Sequence, residues 1–495
     1  MKKFFLNLSK PQRVFLIFLC VHFLIWTFLP LLKTTMHPDS VEAINWGMLG
    51  GWINDKHPPL SGFLADFFFN TLGGEHDIAI YILAQICMII AFIYIYRLGR
   101  LLFNDERKAI ISAILLEGVL YYSMTASDQF NCNIVSIPLW AATAFYVYRA
   151  VKQGRSTDWI FVGVAFGLNM LDKYSAAFQL AGIGAYMLLS RDARVQLRRP
   201  WPYLGAIVSA AIFAPHVYAL HSSNFVSLSY LSRNAIAASH WWMRWTEPLL
   251  FVLSLIAAAA AAIVIYFIGV RNAKRASSKD TDTELFLSCM LFAPIIAMIL
   301  NSMISNLEMS TMWGIPFLFL VGTALVYFFP RAIGGKQFKR ILIGCYIVMV
   351  IFAFINLSKY IFNSKHRIHF DRSLYVEEIG DRWTAKTNGA PLHFVRGDIW
   401  FTSILSVYHP QNPRTILNVD AYNRQELNTE SMKKYGLLIV DDDLAGIIER
   451  QRELLVKLPI QQYNYKTQNL VGDAREYQMF YVIIPPRGDK NDKDI

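Results

Sequence analysis

The sequence predicts an α-helical polytopic membrane protein of about eleven spans, followed by a small extracytoplasmic α/β domain. Three observations predict it. The chain of 495 residues is 55% hydrophobic and only 17% charged, where soluble domains carry about 25% charged residues. Apolar runs long enough to cross or enter a bilayer recur along the first 361 residues. Beyond Phe362 the sequence turns polar, with short β-like runs separated by helix-like ones.

The expected spans fall near 14–32, 78–97, 109–124, 131–149, 158–171, 174–190, 202–220, 248–270, 285–304, 313–329 and 341–360. The runs at 109–124, 158–171 and 174–190 are short for a full bilayer, which suggests tilting or dipping. The first run is too long for a signal-peptide core and lacks a small-residue cleavage site, so it reads as a retained helix. Alternate connections carry the basic residues: Arg97, Arg100, Arg107 and Lys108; Arg149, Lys152 and Arg155; Arg191, Arg194, Arg198 and Arg199; Arg271, Lys274, Arg275 and Lys279; Arg331, Lys336, Lys339 and Arg340. Cytoplasmic loops are enriched in Lys and Arg, which places these connections and the Lys2/Lys3 terminus inside. The loop 34–76, "TASDQFN", "LDKYS", Ser222 to Thr246, "NLEMSTMW" and the tail 362–495 then face outward.

In the tail, "LHFV", "TILNV", "GLLIV" and "YVIIP" read as strands and "LAGIIERQRELLVKL" as a helix. The final "RGDKNDKDI" reads as disordered, and "VDDD" at 440–443 as a solvated strand end rather than a metal site. The net charge of +11 resides in short loops, where it serves topology and anionic lipid headgroups; no motif for nucleic acid accompanies it. Cys20, Cys87, Cys132, Cys289 and Cys345 lie in or beside apolar segments and read as packing residues, with no disulfide framework and no zinc spacing. Walker A, HExxH, GxSxG and dinucleotide fingerprints are absent.

Charge near a bilayer is expensive, so each outward charge is weighed. In "MHPDSVEAINW", Asp39 and Glu42 stand one helical turn apart. Asp39 reads either as the N-cap of a capping box with Glu42 or as a carboxylate base for an incoming hydroxyl. In "DKHPPLSGF", Pro58 and Pro59 hold the preceding residues extended and present Asp55, Lys56 and His57 as a polar turn or an anion site. Asp128 reads as a helix cap or a site acid. Asp172 and Lys173 interrupt an apolar stretch, and a Lys at that depth needs an anionic partner. Arg244, with His240 and three Trp residues, reads as an interfacial belt or a sugar or headgroup contact. Asp39, Glu42 and His57 could hold a divalent metal, though nothing in the sequence requires one.

The order and shared side of "HPDSVEAINWG", "DKHPPLSGF", "TASDQFNCNIVSIPLWAATAFYVYRA", "GLNMLDKYSAAF" and "MWGIPFLFL" resemble GT-C type membrane glycosyltransferases that take sugar from a polyprenyl-phosphate carrier. The chain is most similar to the lipid A aminoarabinose transferases, rhizobial galacturonosyl transferases and protein O-mannosyltransferases. The resemblance covers mainly residues 36–190. It implies that Asp39 serves the acceptor, that Lys173 contacts carrier phosphate and that Asp128 lies near the site. The phosphate-contacting Lys before Pro-Pro is His57 here, with Lys56 one place earlier, and the family's second acidic residue is Ser40, with Glu42 two positions on.

The resemblance implies an inverting glycosyl transfer in a bacterial inner membrane, from polyprenyl-phosphate sugar to lipid A, lipopolysaccharide core or O-antigen on the periplasmic face. No cofactor is required by it. A protein acceptor, or a flippase of lipid-linked sugars acting without chemistry, are the alternatives.

Overall fold

The computed structural model describes residues 8–74, 76–225, 227–228, 242–276, 280–305, 309–417, 434–454 and 456–486. The terminal "RGDKNDKDI" lies outside the described residues. Among the described residues, seven helices are long and apolar enough to cross a membrane: Lys10–Leu32, Ile78–Phe103, Cys132–Lys152, Trp201–Ser222, Thr281–Ser305, Thr311–Phe328 and Gly335–Phe362. Two bent pairs raise the number to nine if each is one span, Glu106–Gly118 with Leu120–Asp128 at 93° and Trp245–Ala258 with Ala260–Gly269 at 49°. The expected count of eleven is not reached by this measure. The remaining two segments are helical but short. Asp158–Asp172 has 15 residues, which at about 1.5 Å per residue falls below a hydrocarbon core of about 30 Å, and the apolar helix Tyr174–Leu189 is likewise too short to span it.

The chain forms two compact units. One comprises residues 1–29, 81–217 and 231–356, the other residues 30–80, 218–230 and 357–495.

In the first unit, small residues let helices touch. A Cβ on Gly163 would stand 2.2 Å from the Gly205 carbonyl oxygen, and the same approach recurs between Gly322 and Ser112. Glu117 sits at the sharp break of the 106–128 pair. Its carboxylate lies 2.5 Å from His22 Nδ1 and accepts Trp26 Nε1–H at 2.9 Å, with all three side chains buried. Its carbonyl accepts the Ser123 hydroxyl at 3.2 Å. Polar groups freed by a broken helix at membrane depth need such internal partners. Four of the five cysteines are buried and all five are free thiols.

The second unit is built on a five-stranded sheet. Its strands are β1 (Phe394–Gly397), β2 (Arg414–Thr415), β3 (Leu437–Asp441), β4 (Gln461–Gln468) and β5 (Ala474–Ile484), in the order β2-β1-β3-β5-β4. β1 pairs parallel with β2 and β3, whereas β5 is antiparallel to β3 and β4. Leu437, Ile439 and Val482 form a core with Ile447 and Ile416. β3 is buried along its whole length, as its unbroken apolar run requires. Asp441 is buried and accepts Arg450 Nε–H at 2.9 Å, while Asp443 caps the helix Leu444–Glu453. The "VDDD" strand end is therefore pinned internally at Asp441 rather than solvated throughout.

The loop after the first span belongs to this unit. Its helices Pro38–Leu49 and Leu60–Thr71 cross where a Cβ on Gly47 would stand 2.2 Å from the Gly62 carbonyl oxygen and 2.3 Å from Asp66 Cβ. Asn45 Nδ2 donates to Ser403 Oγ at 3.0 Å, and Trp46, Leu49 and Ile53 pack with Ile399 and Leu417. Asp77 accepts from Tyr408 at 2.8 Å and pairs with Arg372. The loop is thereby seated on the tail domain.

Gly47→Ala should destabilise this helix crossing by about 1–3 kcal/mol, the usual cost of overpacking. Gly62→Ala should cost less, because its Cβ would meet its nearest atom at 3.1 Å. Thermal unfolding of the two variants in detergent checks the order.

Candidate active site

The second unit holds one charged cluster. The helix Pro38–Leu49 is capped by His37, whose Nδ1 accepts Asp39 N–H at 3.3 Å. Asp39 is therefore in the first helical turn, not the N-cap, and the expected Asp39/Glu42 capping box does not form. A carboxylate there is favoured by the helix dipole. Glu42 points into the protein and is almost fully buried. Lys56 Nζ reaches both of its oxygens, at 2.7 and 2.9 Å.

Lys56 and His57 are placed by a turn. Asn54 Oδ1 accepts Lys56 N–H at 3.0 Å and His57 N–H at 2.8 Å, an Asx-type bend. The expected extended presentation is thus replaced by a bend upstream of the two prolines, because the buried Asn54 side chain captures the next backbone donors. Trp46 supports both bases: Lys56 Nζ lies 5.8 Å from its ring centroid, and the His57 ring packs edge-on at 6.0 Å. Asp55 is half-buried beside this bend and adds to the negative field on Glu42, as Asp39 does.

Burial raises the Glu42 carboxyl to about 7, outweighing the ammonium of Lys56, which pulls it down. A carboxyl poised there can exchange a proton near neutral pH. Among the described residues no group of three or more His, Cys, Asp or Glu side chains gathers to hold a metal ion. Asp39, Glu42 and His57 do not assemble the metal set considered above, since Glu42 is turned onto Lys56.

The first unit holds a second polar cluster. Lys173 follows the helix Asp158–Asp172 as its C-cap and is buried, and its ammonium donates to Asn133 Oδ1. Asp172 is fully buried and accepts the Ser136 hydroxyl at 3.1 Å. Tyr174 OH lies 2.9 Å from His216 Nε2. Asn133 and Ser136 come from the first turns of Cys132–Lys152, whose cap is Asn131, accepting Asn133 N–H at 3.0 Å. Asp128 is half-buried at the C-terminal end of Met124–Asp128, and the N-cap of the helix that follows is Asn131. The side chain of Arg244 lies outside the described residues, as does His240, while the neighbouring Trp242 and Trp245 are exposed.

Sequence reasoning missed Asn54, Trp46, Asn133 and Ser136. Asn133 and Ser136 could have been found, since they stand one turn apart at the start of a span where polar groups are costly.

Apolar spans and a small mixed sheet, with charged side chains held in polar clusters, define a polytopic membrane protein. The particular likenesses agree with that class. Residues 56–218 match the family model of dolichyl-phosphate-mannose-protein mannosyltransferases. The chain is 22% identical over 201 residues to undecaprenyl phosphate-alpha-4-amino-4-deoxy-L-arabinose arabinosyl transferase 1 of Pseudomonas fluorescens, a match covering 37% of this chain and 36% of that relative's length. Crystal structures of ArnT from Cupriavidus metallidurans share the fold. The one bound to undecaprenyl phosphate has a TM-score of 0.60 at 12% identity, covering 94% of this chain and 97% of the other, and the apo form has the same score and coverage at 13% identity. Lys56, His57, Asp128, Asp172 and Lys173 fall inside the matched 56–218 segment; Asp39 and Glu42 precede it.

Because the folded-state Glu42 carboxyl stands above its ordinary 4.5, the native protein holds a proton there that the unfolded chain releases. Its stabilising contribution is present below about 4.5 and is lost as pH rises through about 7. Glu42→Gln should remove this dependence, worth up to about 3 kcal/mol across the window. Unfolding temperatures of both proteins from pH 4.5 to 7.5 check it.

Proposed function

We propose that the protein is a membrane glycosyltransferase that moves a sugar from a polyprenyl-phosphate carrier to a cell-envelope glycolipid or polysaccharide on the outer face of a bacterial inner membrane. One observation carries the reading: the segment that matches a lipid-phosphate-sugar transferase family contains Lys56, His57 and Lys173, within a fold shared over 94% of the chain with ArnT.

The chemistry requires little beyond charge and aim. The bond between the anomeric carbon and the phosphate oxygen breaks, and its electron pair stays on the phosphate. A bond forms from the acceptor oxygen to the anomeric carbon, and the acceptor proton passes to a carboxylate. Lys173, and Lys56 or His57, are assigned the growing phosphate charge, an electrostatic role in a partly dry environment. Asp39 is assigned the proton. Its place in a first helical turn, where the helix dipole favours negative charge, supports that role. Glu42 is the second candidate, favoured by its poise at about 7. One displacement of this kind inverts the anomeric centre. Lipid A, lipopolysaccharide core and O-antigen are the acceptors assigned first. The N-terminus is assigned to the cytoplasm and the tail domain to the periplasm by the distribution of Lys and Arg.

Purified protein in lipid nanodiscs, given polyprenyl-phosphate sugar labelled in the sugar, should release polyprenyl phosphate only when lipopolysaccharide is added. Asp39→Asn should lower that rate by about 100-fold or more, the usual contribution of a general base, and Lys173→Met should lower it comparably with the protein still folded. Full activity in Asp39→Asn with loss in Glu42→Gln would move the base to Glu42. Movement of label between leaflets with the sugar–phosphate bond intact would replace the enzyme reading by a flippase.

A further inference from the structure

The tail domain contains a cavity of about 900 Å³ between one face of the β4–β5 hairpin and the segment that opens the helix Arg372–Thr387. Tyr463, Tyr465 and Tyr477 line it together with Phe370, Leu374 and Glu378. Strand alternation puts Tyr463 and Tyr465 on the same side of β4, and register pairing places Tyr477 opposite Tyr465. The rings form a row. Tyr463 and Tyr465 lie 6.1 Å apart at 21°, and Tyr465 and Tyr477 lie 5.6 Å apart at 19°. Phe370 closes edge-on against Tyr465 at 5.1 Å. Tyr463 is buried beneath Arg382, whereas Tyr465 and Tyr477 remain half-exposed.

We propose that this cavity binds a saccharide that is uncharged or carries amino groups, with Tyr465 and Tyr477 as the stacking platform. Three lines of chemistry select that ligand. Nearly parallel phenol rings present flat apolar area of the kind that the C–H face of a pyranose covers, with hydroxyls left for polar contacts. The volume falls within the ordinary range for small-molecule sites, and the mixture of aromatic walls with a few polar groups is typical of them. The charged lining residues are Asp371, Glu378 and Glu476 against Lys466 alone, whose Nζ is held by Glu476 at 2.9 Å. Arg382, over Tyr463, pairs with Glu378 at 3.6 Å, so the three carboxylates still outnumber the two cations beside them, which disfavours a phosphate or a uronic acid and favours hydroxyl or ammonium donors. Burial pushes the Tyr463 phenol up to about 12, and a hydrogen bond with Glu378 acts in the same direction, so its hydroxyl keeps its proton.

None of the residues that line it belongs to the charged clusters described above. Only the identification of its ligand with the glycan of the acceptor rests on the transferase reading. Its test needs no sugar transfer. Full-length protein in nanodiscs should give ligand-detected saturation-transfer signals with a glucosamine trimer or with maltotriose, and none with a galacturonic acid trimer. Tyr465→Ala and Tyr477→Ala should weaken binding at least tenfold, Tyr465→Phe should retain it, and Leu374→Trp, at an exposed lining position, should block it without emptying the core. No binding of either neutral or amino trisaccharide, equal binding of the galacturonic acid trimer, or binding unchanged in both Tyr477→Ala and Leu374→Trp would overturn the proposal. Binding that persists in a protein with no transferase activity would overturn the transferase reading alone.

Discussion

A charge removed from water must meet a partner, and this constraint shapes each polar feature of the protein. Lys56 closes on Glu42, Lys173 on Asn133, Asp172 on Ser136, and Glu117 on His22 and Trp26. The partners come from different helices or from a helix and a turn, so the contacts fix the backbone as well as the charges. Glu117 joins the first span to the break in the 106–128 pair. Asn133 and Ser136 tie the start of one long helix to the end of the short helix before Lys173. Lys56 and Lys173 are each held in this way by an oxygen-bearing side chain of another element.

The outer loop illustrates how such a cluster is aimed. The crossing at Gly47 and Gly62 brings two short helices into backbone contact, and the Asn54 bend then returns the chain so that Lys56 faces Glu42. Neither helix is long enough to stand alone. Their support is the tail domain, through Asn45 with Ser403, and through Asp77 with Arg372 and Tyr408. Residues 357–495, far later in the chain, therefore act as the floor of the first loop.

Much of this was legible in the sequence, for definable reasons. Apolar runs gave the helices because hydropathy over a long window is a collective signal, and the tail strands β1, β3 and β5 announced themselves as apolar β-like runs. β4 did not: in "QQYNYKTQ" only Tyr463, Tyr465 and Thr467 alternate against amides and a Lys, a half-buried pattern with few aliphatic residues. The charged residues worth weighing were visible, since few charges occur in the outward connections. Their pairing was not. That Glu42 takes Lys56, or that His37 rather than Asp39 caps its helix, depends on a bend set by Asn54 and on which side chain the fold buries. Local pattern contains neither. The count of eleven spans is not confirmed for a physical reason, because apolar content alone does not distinguish a crossing helix from a 15-residue one or from a pair broken by 93°.

The strand order of the tail has a consequence for how the protein is made. β5 is the last of the five strands in the chain yet lies between β3 and β4, so the earlier four cannot form one sheet without it. Until residues 474–484 have left the ribosome, β3 has an open flank and β4 has no partner. Such late closure across distant segments is slow and leaves sticky edges in the meantime. The first loop, resting on that unfinished floor, would mature after the spans that flank it are already inserted, making assembly of the charged cluster a post-insertion event.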